Sequence, residues 1–180
     1  MAAISPSRLW IPIAVWRQIC VQAVREWPNE CLGMLVGTSS GHVRAAYELV
    51  NALAHPHRFL SEPASLFAAE RRRRQEGWDL LGFYHSHPGG RPVPSHVDTD
   101  PEVNYWLDGS VVSVIVAIRS HACDSAASIR EPVSELSVTA TEQTPTSSGI
   151  TATLGHYSLQ ARAFRLFPHR WEELPLALED

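Results

Sequence analysis

The sequence predicts an α/β domain, and three runs of residues carry that prediction. V-V-S-V-I-V-A-I at 111–118 is the most strongly β-like stretch, rich in β-branched side chains and suited to the centre of a sheet. Ala14 to Trp27 set Val15, Ile19, Val24 and Trp27 near helical spacing, the mark of an amphipathic helix. Trp78 to His87 is apolar and aromatic until it reaches a pair of histidines, which is the pattern of a buried strand whose end opens into a site.

The remaining elements follow in order. Residues 8–13 alternate loosely and read as a first strand, and Pro28 ends the helix that follows. C-L-G-M-L-V-G at 31–37 is a short apolar run closed by Gly37. A turn around Ser39 to Gly41 joins it to H-V-R-A-A-Y-E-L-V, so the two runs form a hairpin. Asn51 to Glu62 is a loop holding His55 and His57. Pro63, at a first helical position, opens a second helix through about Gln75, stopped by Gly77. Asp100 and Pro101 are expected to cap and start a short helical segment through Trp106. From about 120 to 153 the composition shifts to Ser, Thr, Ala, Glu and Pro with only weak alternation, and this stretch is expected to be a surface excursion, Pro145 to Gly149 having linker character. Tyr157 to Phe167 recovers strand alternation, and W-E-E-L-P-L-A-L closes the chain.

Composition narrows the function. With 180 residues the chain has the length of one domain with one substantial core. A net charge of −4 gives no basis for nucleic-acid binding. The one basic run, Arg71 to Arg74, falls in the second helical stretch and reads as a solvated face. Cys20, Cys31 and Cys123 are odd in number and lack C-x-x-C spacing, which argues against a disulfide framework or a thiolate zinc site and for a reducing, cytoplasmic setting. The apolar N-terminal L-W-I-P-I-A-V-W is too short and interrupted to span a membrane.

The chemistry gathers at F-Y-H-S-H-P-G-G-R-P-V-P-S-H-V-D, residues 83–98. On a strand His85 and His87 face one way and Ser86 the other, giving a two-pronged imidazole clamp. Three prolines and two glycines then return the chain to Ser95 and Asp98. If Ser95 caps a short helix, Asp98 lies on its first turn and faces the histidines. Two His and one carboxylate, with a position open for water, is the ligand set of a catalytic zinc. Each part has a plain structural reading as well: two satisfied histidines, and a capping box of Ser with an acid three residues on. A capping box needs no histidine pair, and a histidine pair needs no stiff return loop, so their co-occurrence favours the metal.

H-S-H-P, with seven residues between the second His and Ser and two more to Asp, resembles the JAMM motif of the MPN-type zinc metallopeptidases. W-P-N-E-C-L-G-M-L-V-G at 27–37 is similar to the glutamate-bearing segment of bacterial members. N-A-L-A-H-P-H-R-F-L at 51–60 is similar to their asparagine-containing loop. The resemblance covers about residues 6–120, with the strands from Tyr157 onward. One departure stands out: a cysteine usually precedes the glycine represented by Gly33, whereas here Leu32 sits there and Cys31 is displaced by one. That displacement bears on local packing or substrate contact rather than on catalysis, with Cys31 expected to be a buried thiol.

The resemblance implies a mixed sheet flanked by helices, related to cytidine deaminases, as a single JAMM/MPN domain over residues 1–180. It implies one zinc bound by His85, His87 and Asp98, Glu30 as general base, Ser95 stabilising the tetrahedral intermediate, and Asn51 with its loop contacting substrate. The implied reaction is hydrolysis of a peptide or isopeptide bond at the Gly-Gly tail of a ubiquitin-like sulfur carrier protein, the Pro-rich turn walling a narrow channel. Two alternatives stay open. One is a non-peptidase zinc amidohydrolase, although a deaminase would show H-x-E with a later P-C-x-x-C, which is absent. The other is a non-catalytic MPN scaffold, whose members lose ligands that this chain keeps.

Overall fold

A computed structural model describes residues 6–121, 136–143 and 147–180. In chain order the elements are β1 (Leu9–Pro12), α1 (Ile13–Glu26), β2 (Leu32–Gly37), β3 (Val43–Leu49), α2 (Pro63–Glu76), β4 (Asp79–Pro88), β5 (Val112–Ser120), β6 (Leu136–Gln143), β7 (Ser147–Leu154), β8 (Tyr157–Phe167), β9 (Arg170–Leu174) and β10 (Leu176–Glu179). Among the described residues, eight strands form one mixed sheet in the order β3-β2-β4-β5-β8-β7-β6, with β9 sharing the outer edge of β8 beyond β7. Only β4 and β5 run parallel within it; β1 and β10 pair in a separate parallel ribbon. As the β-branched run predicts, β5 lies at the middle of the order.

Two faces of this sheet are covered differently. Val15, Trp16, Ile19, Cys20 and Ala23 of α1 pack on one face, against Leu35, Tyr84, Val114, Val116, Ile118, Ile150 and Ala161. On the other, α2 covers β2, β3 and the start of β4 through Leu66 and Ala69 against Met34, Val36 and Tyr47. Beyond it, Val93 and Leu107 of the loop between β4 and β5 cover Ile115, Phe164 and Leu166. The metal-motif loop therefore shares the α2 face.

Local chemistry fixes the ends. Pro63 occupies the first turn of α2, the Glu62 side chain accepts from Ser65 N, and Gly77 closes the helix at φ 74. Gly82 is required where β4 meets β5, since a Cβ there would lie 1.9 Å from Val112 O. This lets the histidine-bearing strand run flat beside the central one.

Three expectations change. Residues 100–106 form turns and bends rather than a helix: Asn104 donates to Asp98 O and accepts from Trp106 N, so its side chain supplies local partners that compete with helical ones. Ser95 opens a turn over 96–99 rather than a helix. Within the Ser/Thr-rich stretch, β7 is a full member of the sheet with Ile150, Ala152 and Leu154 buried under α1. Threonine and serine at the intervening positions disguise an ordinary alternating strand. Residues 122–135, including Cys123, and 144–146 lie outside the described residues. No helix among the described residues is long and apolar enough to cross a membrane.

Candidate metal centre

β4 brings the two histidines to one point. His85 Nε2 and His87 Nε2 lie 3.0 Å apart, and Asp98 reaches both, Oδ1 at 3.3 Å from His85 Nε2 and Oδ2 at 3.5 Å from His87 Nε2. One ligand atom from each residue lies within 4.8 Å of the others. The carboxylate is aimed by a reciprocal pair of bonds: Ser95 N donates to Asp98 Oδ2 at 2.6 Å, and Asp98 N donates to Ser95 Oγ at 3.3 Å. The capping-box chemistry is thus present, and it fixes the Asp98 carboxylate toward the two histidines. Asn104 Nδ2 holds Asp98 O, the Arg91 carbonyl lies 3.1 Å from His87 Nδ1, and the Phe59 ring packs 4.7 Å from the His85 ring. An acceptor on Nδ1 places the proton there and frees Nε2 as a ligand, the usual outer support of a metal-binding imidazole.

The electrostatics match the donor set. Burial opposes ionisation of Asp98, but the charge of His85 and hydrogen bonds from His85, His87 and the Ser95 N–H outweigh it, holding the carboxyl well below the usual carboxylate range. Burial works against a charged His87, yet Asp98, the Arg91 carbonyl and Glu30 raise it. A buried, firmly ionised carboxylate thus faces two imidazoles that compete for protons in a place where a divalent cation would satisfy all three. Two imidazole nitrogens and one carboxylate oxygen fit zinc well.

Glu30 arrives from another strand. Leu32 pairs with His85, and Ser86 N donates to Cys31 O at 2.9 Å, so one further step sets Glu30 opposite His87 on the same face. It is 6% exposed, and burial pushes its carboxyl up to about 7, with His87 lowering and Asp98 raising it. Its backbone is held on both sides by the 51–60 loop: Glu30 N donates to His55 O at 3.0 Å, and Asn51 Nδ2 donates to Glu30 O at 3.0 Å.

Asn51 uses its amide within that loop, donating also to Arg58 O and accepting from Leu53 N and Leu60 N. Its position thus supports the loop that seats Glu30 and Phe59. Cys31 is buried and its thiol is pushed up to about 12 by burial, so it is a packed thiol outside the ligand cluster. Ser86, on the opposite face of β4, accepts from Cys31 N at 2.8 Å. The sequence sets Ser86 on the face away from the histidines; only the strand register reveals that its hydrogen-bond partner adjoins Glu30.

Fold, donor set and buried carboxylate define a class: a metal-assisted hydrolase built on a mixed sheet. The comparisons say which. Residues 12–129 match the family described as prokaryotic homologs of the JAB domain, and the chain belongs to that family. It is 32% identical over 112 residues to a probable TtuB-protein conjugate cleaving protease of Thermus thermophilus, covering 56% of this chain and 72% of the relative. It is also 36% identical over 75 residues to a desampylase of Haloferax volcanii, covering 41% of this chain and 54% of that protein. A solution structure of a Desulfitobacterium hafniense protein superposes with a TM-score of 0.64 at 19% identity, covering 96% of this chain and 93% of the other, which supports the fold.

Proposed function

We propose that this chain, acting as a single domain, is a zinc peptidase that hydrolyses a peptide or isopeptide bond at the Gly-Gly tail of a ubiquitin-like sulfur carrier protein in the cytoplasm. The observation that carries the reading is the placement of Glu30, a buried carboxyl, across the strand pair from His87 and beside Asp98. His85, His87 and Asp98 would hold one zinc ion. Bound there, the metal supplies polarisation of the scissile carbonyl and acidifies water from ~16 toward ~7.

The chain's own groups do the rest. A buried carboxylate beside the three metal-ligand side chains can take a proton from water and hand it on to the leaving amine, which suits Glu30 to general acid–base work. Water adds across the C–N bond: its oxygen remains on the carbonyl carbon as the new tail carboxylate, and both of its protons end on the leaving amine, which departs as an ammonium group, with Glu30 carrying the proton between them. Ser95 Oγ accepts from Asp98 N and keeps its own O–H proton as a donor toward a developing oxyanion. The substrate class draws on the sequence resemblance and on relatives named for cleaving protein conjugates.

The test is cleavage of two purified substrates, a Gly-Gly-ending carrier fused to a reporter by a peptide bond and the same carrier joined to a lysine side chain. The zinc-loaded protein is expected to cut at least one immediately after Gly-Gly, to lose activity with a chelator, and to regain it with zinc. Zinc-loaded protein that leaves both substrates intact contradicts the proposal.

A further inference from the structure

Reading across the strands rather than along them extends the site. His87 pairs with Ala117 on β5, Ala117 with Gln160 on β8, and Gln160 with Thr151 on β7. Paired residues share a face, so Glu30, His87, Ala117, Gln160 and Thr151 form one transverse row with steps of about 5 Å. The preceding row, through His85, is blocked at Ile115, which lies under Leu107, Phe164 and Val93. At Ala117 the side chain is only a methyl, and the row opens into a cleft of about 250 Å³. Pro92 of the turn after the histidines borders this cleft, with Arg119, Thr153, Ser158 and Gln160 among its other walls.

The lining has a definite character. Arg119 is exposed at the mouth, its Nη2 lying 3.5 Å from Gly90 O, and it makes no ion pair among the described residues. Ser158 accepts from or donates to His121 Nε2 at 2.8 Å, so the far end carries a second basic side chain. Glu30 lies on the opposite side of His87 from the cleft, and Asp98, from the loop after β4, lies 3.5 Å from His87 Nε2. A small cleft of mixed lining, with an arginine and no acid among its lining residues, favours an anionic group, and the planar guanidinium suits a carboxylate. Its volume is below the roughly 300–1,000 Å³ of pockets for drug-sized ligands, a size for one residue and too small for a folded protein.

We infer that this cleft is a subsite for the residue on the leaving side of the scissile bond, and that Arg119 binds the free C-terminal carboxylate of that residue. This rests on the proposed peptidase reading and narrows it: the preferred substrate carries a single extra residue after Gly-Gly, so the chain trims a precursor tail in preference to severing a lysine-linked conjugate.

Three substrates decide it: a Gly-Gly carrier extended by one alanine with a free carboxylate, the same with a C-terminal amide, and the carrier joined to a lysine side chain. The acid is expected to show a KM roughly 10- to 100-fold below that of the amide. Arg119→Gln is expected to erase this difference by raising KM for the acid while kcat stays within about twofold, and Arg119→Lys to restore part of it. Equal KM for acid and amide, or an acid preference that survives Arg119→Gln, overturns the subsite, as does preferred cleavage of the lysine-linked substrate. Glycyl-alanine binding, followed by amide chemical shifts of the metal-free protein, separates this from failure of the peptidase reading. If no substrate is cut, shifts at Arg119 and Gln160 with the dipeptide, absent with its amide and in Arg119→Gln, still support the subsite. Their absence refutes it.

Discussion

On the front of β4, His85 and His87 turn their ring nitrogens toward a common point with Asp98. On the back, Tyr84 and Ser86 turn their hydroxyls into hydrogen bonds with Gln22 and the Cys31 N–H. The Tyr84 hydroxyl donates to Gln22 Oε1 at 2.6 Å, and Gln22 Nε2 donates to Leu32 O at 3.0 Å, tying α1 to β2 and β4. Ser86 ties the same strand to Cys31, next to Glu30. The back face therefore fixes where the strands stand, and the front face gathers His85, His87 and Asp98 into a group that fits a metal ion. Stability and chemistry reside on alternate residues of one strand, as period-two geometry permits.

Substitutions on the two faces should separate these roles. The largest effect is expected from His87→Ala, which removes a ligand: metal content by elemental analysis should fall far below one per chain and cleavage by about 10³-fold or more, while the circular dichroism spectrum is kept. A zinc-replete variant would break the ligand assignment.

Next in size is a pH effect at Glu30. Its carboxyl is raised from an ordinary 4.5 to about 7, so between those values the folded metal-free protein binds more protons there than the unfolded chain. The contribution to stability is full below about 4.5 and is lost as pH rises through about 7. Urea denaturation should therefore find metal-free Glu30→Gln more stable than the parent at pH 8, by on the order of 3 kcal/mol, and similar to it at pH 4.

Ser86→Ala, on the back face, leaves the buried Cys31 N–H without its acceptor and should cost about 2 kcal/mol in the same measurement, with zinc content unchanged. Tyr84→Phe is the smallest, about 1 kcal/mol, with zinc binding and turnover again close to the parent. Loss of metal from either variant would blur the division between the faces.

The legible parts of the molecule are those with local causes. The clamp at 85–98 is compact in sequence, so alternation on a strand and a proline-stiffened return were enough to bring His85, His87 and Asp98 together. Both helices announce their limits through Pro28, Pro63 and Gly77. Residues 100–106 misled because Asp-Pro is a sound helix start, while the competing bonds of Asn104 depend on where Asp98 already sits. β7 was hidden because threonine and serine on its open face dilute the apolar alternation beneath. Glu30 had no local signal: a single acid after Pro-Asn is brought beside His87 only through the register of β2 on β4, and family resemblance alone pointed to it. The row that runs from His87 to Thr151 joins residues more than sixty positions apart, a relation only the strand order reveals.

The proposed division of labour between metal ligands and proton carrier comes down to Glu30. Glu30→Gln keeps shape and size while removing the proton acceptor, so zinc content and turnover of a Gly-Gly carrier fusion should be measured on the same preparation. About one zinc per chain with turnover reduced roughly 10²- to 10⁴-fold is the expected result; full zinc with undiminished turnover would contradict the role assigned to Glu30.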